Sequence, residues 1–236
     1  MSDLAARLSA IDSQIADAAR SAGRDAADIT RIVVTKFHPA SLVRELHALG
    51  VRDVGENRQQ ELVSKRAELE QDQPSLDGLH WHFIGQAQTN KAASIRRNAD
   101  AVHSVDRIKL ADALHRASEH PDEGAQGALD VLVQVNLTED AGRGGAAPDD
   151  AQRLAEHILA LPSLRLRGVM GVAPLDEEPA SAFARLRDVA DGIRSLDASA
   201  TWISAGMTGD FVEAIAAGAT HLRIGSAITG PRPDRG

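Results

Sequence analysis

One amine in this chain stands directly behind a short apolar run: Lys36 follows Ile32-Val33-Val34-Thr35. Lysine occurs only at 36, 65, 91 and 109, the other basic residues being arginines, so general surface composition does not account for it. A lysine neutralised by desolvation or by a nearby cation attacks an aldehyde and forms a Schiff base, which a guanidinium cannot do. The alternative is a rim lysine that solvates a strand end or pairs with Glu56. Two further stretches suit an anion. Ser204-Ala205-Gly206-Met207-Thr208-Gly209-Asp210 is small enough for backbone N–H groups to approach a phosphate, and Thr208 is placed to cap a following helix. In Arg223-Ile224-Gly225-Ser226-Ala227-Ile228-Thr229-Gly230, Arg223 and Gly225 share one strand face, and a short helix starting near Ser226 offers more N–H groups. The structural alternatives are a strand-turn-helix joint whose hydroxyls satisfy orphan N–H groups, and an arginine that closes against a carboxylate. His80 and His82 have a metal-ligating spacing on one strand face, but no third ligand is near, so core or rim histidines and no metal site are expected. Trp81 and Trp202 are expected to pack, and Arg143 to lie in a solvated glycine-rich loop.

Positioning such groups requires a regular scaffold. Leu4, Leu8, Ile11 and Ile15 step by four, three and four along one side of a leading helix that Gly23 stops, giving a helix over about 2–22. Eight short apolar runs follow: Ile32 to Thr35, Asp53 to Gly55, His80 to Ile84, Ala101 to Val105, Leu129 to Asn136, Leu166 to Met170, Thr201 to Ser204, and His221 to Ile224. Helix-like stretches alternate with them, such as 41–49, 57–69, 107–118, 148–159, 180–196 and 210–217. The segment Ala92 to Asn98 is short for a helix, and Glu119 to Ala128 has the character of an exposed loop. A β-then-α rhythm repeated eight times implies parallel strands with crossover helices. The length suits a single (β/α)8 TIM-type barrel of the α/β class, with an extra N-terminal helix and the barrel over about 30–230 of one domain, 1–236. No glycine-rich dinucleotide fingerprint follows the first strand, which disfavours an open doubly wound sheet. In such barrels the active side is formed by the carboxyl ends of the strands, where Lys36, Asn57, Asn136, Ser204 and Gly225 fall.

Composition removes whole classes of function. With 26 basic against 34 acidic side chains the formal net charge is −8, so there is no overall positive field to gather nucleic acid or anionic lipid. The absence of cysteine removes disulfides, thiolate metal sites and thiol nucleophiles. Met1 to Arg20 lacks the basic flank and apolar core of an export signal, and no apolar run is long enough to cross a bilayer. A soluble cytoplasmic protein is expected. There is also no tyrosine, so no phenol serves as acid or base.

Taken in order along the chain, the motifs resemble the pyridoxal-phosphate homeostasis protein family, the YggS/PROSC type, whose barrel is similar to the amino-terminal domain of alanine racemase. The matching stretches are Val34-Thr35-Lys36 with Pro39-Ala40, Gly55-Glu56-Asn57 with Gln60-Glu61, and His82-Phe83-Ile84-Gly85 with Gln88 and Asn90-Lys91. They continue with Leu166 to Met170, Ser204 to Asp210, and Arg223 to Ile228 with Gly230, so the likeness runs from about Ile32 to Gly230. The resemblance implies that Lys36 carries pyridoxal phosphate as an internal aldimine with Asn57 close by. It further implies that Ser204, Met207, Thr208, Gly225 and Ser226 surround the phosphate and that Arg223 faces the pyridine nitrogen. The chain departs from the family at Arg58, where an aromatic residue is usual, in the loop around Arg143, and mildly at Ala205 and Thr208.

Racemisation on this cofactor needs acid-base groups on both faces of the substrate carbon. Lys36 could serve one face. In alanine racemase-like enzymes a tyrosine supplied with a second, β-rich domain serves the other, whereas this chain ends about six residues after Gly230 and has no tyrosine. An arginine facing the ring nitrogen has no proton to accept, so that nitrogen stays an unprotonated acceptor and the ring is a weaker electron sink. The expectation is therefore a non-catalytic carrier, with no catalytic residue, that maintains intracellular vitamin B6 and amino-acid and keto-acid homeostasis. Pyridoxal-phosphate-dependent apoenzymes are the candidate recipients, and the carrier is expected to be a monomer. The alternatives are a weak pyridoxal-phosphate-dependent amino-acid racemase and a barrel enzyme for a sugar phosphate.

Overall fold

The structure, a computed structural model, describes residues 2–71, 76–119, 127–140 and 142–232. It opens with helix α1 (Asp3–Ser21), whose first turn is capped by Ser2 Oγ accepting from the Ala5 N–H at 3.3 Å. The strands are β1 (Thr30–Val34), β2 (Asp53–Glu56), β3 (His80–Phe83), β4 (Ala101–Val105), β5 (Leu129–Gln134), β6 (Leu164–Met170), β7 (Trp202–Ser204) and β8 (His221–Ile224). Between them run α2 (Ala40–Ala48), α3 (Gln59–Gln71), α4 (Ala92–Asn98), α5 (Ile108–Arg116), α6 (Pro148–Leu159), α7 (Pro179–Leu196) and α8 (Phe211–Ala216), and α9 (Ser226–Thr229) follows the last strand. Every strand pairs in parallel with its sequence neighbours, and β8 closes on β1 from Thr30↔His221 to Val33↔Ile224. This is the expected (β/α)8 TIM-type barrel with its additional N-terminal helix.

The boundaries differ from the sequence reading where they bear on the site. β1 starts at Thr30 and stops at Val34, so Lys36 lies in the turn beyond the strand rather than at its last position. β5 likewise stops at Gln134, and Asn136 belongs to the loop that follows. The segment Ala92–Asn98, short as it is, is helical and is preceded by a 3-10 turn at Thr89–Lys91. Most of the expected loop from Glu119 to Ala128 lies outside the described residues.

Strand alternation sorts the side chains into two compartments. The outward faces, including Val33, Val54, Phe83 and Leu222, join the apolar stripes of the helices in one continuous cluster. Helix α1 adds Leu4, Leu8, Ile11 and Ile15 to that cluster, packing on α8 and α9. Arg7 Nε donates to the Ile228 carbonyl at 2.7 Å, and Arg24 donates to the carbonyls of Ile215 and Ala219. The inward faces form a second, partly polar interior. His103 on β4 lies 2.8 Å from Ser204 Oγ on β7, and because those strands are not neighbours the contact crosses the barrel.

Candidate functional site

A cavity of about 550 Å³ opens where β1, β2, β3 and β8 give way to their loops. Lys36 lines it, with its side chain exposed and its Nζ 5.8 Å from the centre of the Phe37 ring. The residues on either side of Lys36 are clamped. Thr35 Oγ1 donates to Glu56 Oε1 at 2.6 Å, and the Thr35 carbonyl accepts from Lys65 Nζ at 2.8 Å. The Phe37 N–H donates to Glu61 Oε2 at 2.6 Å, which secures a left-handed backbone (φ 70°) that a bulky residue rarely adopts. The alternative pairing of Lys36 with Glu56 is thus ruled out: Glu56 is fully buried on the other strand face and is held by Lys65 at 2.6 Å. Burial pushes the Glu56 carboxyl up, while the Lys65 ammonium and the Thr35 hydroxyl pull against that rise.

Arg223, 5% exposed on the neighbouring strand β8, lines the same cavity. It donates Nη1 to Ser204 Oγ at 2.7 Å and Nη2 to the Gly171 carbonyl at 2.9 Å, and it forms no ion pair among the described residues. Burial pulls its guanidinium down to about 10, with Asp210 opposing. A buried cation without a carboxylate partner, facing an open space, leaves that space suited to an electron-rich acceptor. Gly225, Ser226, Met207 and Thr208 form the adjoining wall. Gly206 makes the turn before Met207 possible: its φ is 90°, and a Cβ there would lie 2.7 Å from the Ala214 Cβ. Asn57 also lines the cavity, and Gly85 packs against its backbone so closely that a Cβ there would lie 2.0 Å from the Asn57 carbonyl oxygen. Among the described residues Asn57 Oδ1 is buried without a hydrogen-bond partner.

Seven of the eight residues expected at the site therefore share one cavity: Lys36, Asn57, Met207, Thr208, Arg223, Gly225 and Ser226. Ser204 does not line it. It is fully buried in the barrel, where it touches Arg223 and His103. Thr208 does not cap α8 either: Asp210 holds the N-cap position, and its Oδ1 accepts from the Met207 N–H at 2.6 Å. Arg58 stacks over Phe37 with its Cζ 5.1 Å from the ring centre and lines a neighbouring hollow instead. Arg143 is exposed and borders a separate small cavity. His82 commits both ring nitrogens, to Asp53 and to His103, while His80 is exposed. No group of three or more metal-ligating side chains occurs among the described residues. Trp81 is buried in the core, and Trp202 packs against His221 with ring centres 4.1 Å apart. His38, Thr229 and Arg232 also line the cavity, and sequence reasoning did not select them. It also missed Lys65, although a signal existed, because Lys65 shares the buried stripe of α3 with Leu62 and Leu69.

Comparison with known proteins agrees with this architecture. The family model for the alanine racemase N-terminal domain matches residues 7–233. A pyridoxal phosphate homeostasis protein of Pseudomonas aeruginosa is 43% identical over 235 residues, 98% of this chain and 97% of that protein. The chain belongs to the pyridoxal phosphate homeostasis protein family. A member of that family from Mycobacterium tuberculosis is 40% identical over 244 residues, covering 98% of this chain and 93% of the relative. PipY of Synechococcus elongatus, solved with PLP bound, matches with a TM-score of 0.82 and 32% identity over 97% of this chain and 100% of that one. An alanine racemase from Corynebacterium glutamicum shares the fold, with a TM-score of 0.68 at 15% identity, over 97% of this chain and 63% of its own. Among the described residues no helix is long and apolar enough to cross a membrane.

Proposed function

We propose that this chain binds pyridoxal phosphate in the cavity at the barrel mouth and holds it for storage or delivery without catalysing a reaction on it. One observation carries the reading: the Lys36 amine and the buried Arg223 guanidinium, which has no carboxylate partner among the described residues, line the same cavity of about 550 Å³. The donor set fits the group. A primary amine suits the aldehyde, a guanidinium that can only donate suits the ring nitrogen, and small or hydroxyl residues suit the phosphate. Lys36 forms the Schiff base, with one water released per bond made. Met207, Thr208, Gly225 and Ser226 surround the phosphate, Asn57 lies close to the ring, and Arg223 meets the pyridine nitrogen. Ser204 is left out of the phosphate shell because the barrel interior claims it.

Pyridoxal phosphate supplies an electrophilic aldehyde when bound, and this chain retains it. The absence of tyrosine denies the site a phenol for a second face, and the Arg223 side chain has no proton-accepting atom to support a charged ring. The PLP-bound PipY and the naming of the relatives support the reading. The biological role follows as maintenance of cytoplasmic vitamin B6, and through it of amino-acid and keto-acid balance, by a monomer that exchanges cofactor with apoenzymes. The test is borohydride reduction of the protein incubated with pyridoxal phosphate, followed by peptide mass mapping. A pyridoxyl adduct on Lys36, lost in Lys36→Ala with an unchanged far-ultraviolet spectrum, is expected. An adduct on a different lysine, or exchange of an amino-acid α-proton with solvent that depends on Lys36, overturns the carrier reading.

A further inference from the structure

An unbroken line of polar contacts runs through the barrel from Arg223 to the start of β2. Arg223 Nη1 donates to Ser204 Oγ at 2.7 Å, and Ser204 Oγ lies 2.8 Å from His103 Nδ1. His103 Nε2 lies 3.0 Å from His82 Nδ1, and His82 Nε2 lies 2.9 Å from Asp53 Oδ1. The middle of the line is enclosed: His82 is 3% exposed, and His103 and Ser204 are 0%. The Asp53 side chain, 26% exposed, reaches solvent.

The partners dictate where the hydrogens sit. A guanidinium only donates, so Ser204 accepts from Arg223 and passes its own hydrogen to His103 Nδ1. With neutral imidazoles, His103 then donates from Nε2 to His82, and His82 from Nε2 to the Asp53 carboxylate. Each contact of the line then has one donor and one acceptor, with the Arg223 guanidinium at one end and the Asp53 carboxylate at the other. Burial first, then the nearby His82, His221 and Arg223, hold His103 well below its ordinary value, in keeping with a neutral ring. Burial raises the Asp53 carboxyl, but its hydrogen bond to His82 together with the nearby His82, His80 and His221 rings outweighs it, so Asp53 lies below its usual range. Apolar side chains of similar volume fill a barrel at least as stably as such a line does, so stability alone does not explain it.

We propose that Ser204, His103, His82 and Asp53 are positioning residues that hold the Arg223 guanidinium in the orientation with which it meets the bound cofactor. This inference rests on the binding reading above. In that reading Arg223 is a long, rotatable side chain, and a donor can be aimed only if something fixes its plane. The Gly171 carbonyl supplies one fixed point and Ser204 the other.

The experiment is a double-mutant cycle on the full chain, with pyridoxal phosphate affinity and the visible absorption maximum of the complex as readouts. Ser204→Ala is expected to weaken binding about five- to tenfold and to shift the absorption maximum in the same direction as Arg223→Ala. In an Arg223→Ala background Ser204→Ala is expected to change neither readout. Equal effects of Ser204→Ala in both backgrounds overturn the proposal. If Ser204→Ala fails to fold, Asp53→Asn at the solvent end of the line takes its place, and the same coupling to Arg223 is required. Wild-type protein that takes up no cofactor on Lys36 overturns the binding reading itself, a result distinct from an uncoupled cycle.

Discussion

Lys36 owes its place to two neighbours rather than to contacts of its own. Thr35 is tied through its hydroxyl to Glu56 and through its carbonyl to Lys65, and Phe37 is tied through its N–H to Glu61. The amine therefore stands on a backbone fixed from α3 while its side chain stays free to reach a ligand. Lys65 is the keystone, because it contacts both the Thr35 carbonyl and Glu56 Oε1 while almost wholly buried. Lys65→Met would leave the Glu56 carboxylate enclosed without its cation, and breaking a buried pair in this way costs about 3–5 kcal/mol. Urea denaturation should show that loss, and the double variant Lys65→Met with Glu56→Gln should recover part of it. A single variant as stable as the wild type would mean that the pair does not act as a unit.

At the scale of elements, α1 is the piece that a bare barrel does not require. Its apolar stripe is buried against α8 and α9, the two helices that flank β8 and the turn before it. Arg7 and Arg24 add charged hydrogen bonds to carbonyls at the ends of those helices. Leu8 is 6% exposed in this seam. Leu8→Ala should lower unfolding free energy by about 2–5 kcal/mol through lost burial and the cavity left behind. Chemical denaturation checks the size of the effect. A loss below about 1 kcal/mol would show that the helix is only loosely docked.

The whole molecule carries a consequence of its polar interior. His221 is enclosed with His82 and His103, and burial pulls its ring down to about 3, with the neighbouring His82 ring adding to the effect. In the unfolded chain the same ring titrates near its ordinary value of 6.5. Between those values the unfolded state binds more protons, so stability is complete above the unfolded value and falls as pH drops below it. At pH 5 the loss from His221 alone is about 2 kcal/mol, and His103 acts in the same sense. Urea midpoints at pH 7.5 and pH 5.0 measure it. A flat profile would show that the interior admits protons without opening.

The local features of the chain were legible from residue order. The spacing of Leu4, Leu8, Ile11 and Ile15, the eight apolar runs, and the placing of Lys36, Asn57, Arg223 and Gly225 at or just beyond the carboxyl ends of strands all depend on neighbours within a few positions. Periodicity of 3.6 or 2 expresses such relations directly. The destinations of Ser204, Lys65, His82 and His103 were decided only in three dimensions. Ser204 sits at a strand end exactly as a phosphate ligand would, yet it turns inward to a histidine 101 positions earlier, and Thr35 meets Glu56 across 21 positions. Barrel closure brings those pairs together, and two register shifts, beside β4 and β5 and between β5 and β6, break the simple alternation around it. A linear pattern can state which residues are able to do chemistry. Only the closed sheet determines which of them face the cavity and which face one another, because that choice is made by strand register and by contacts between distant parts of the chain.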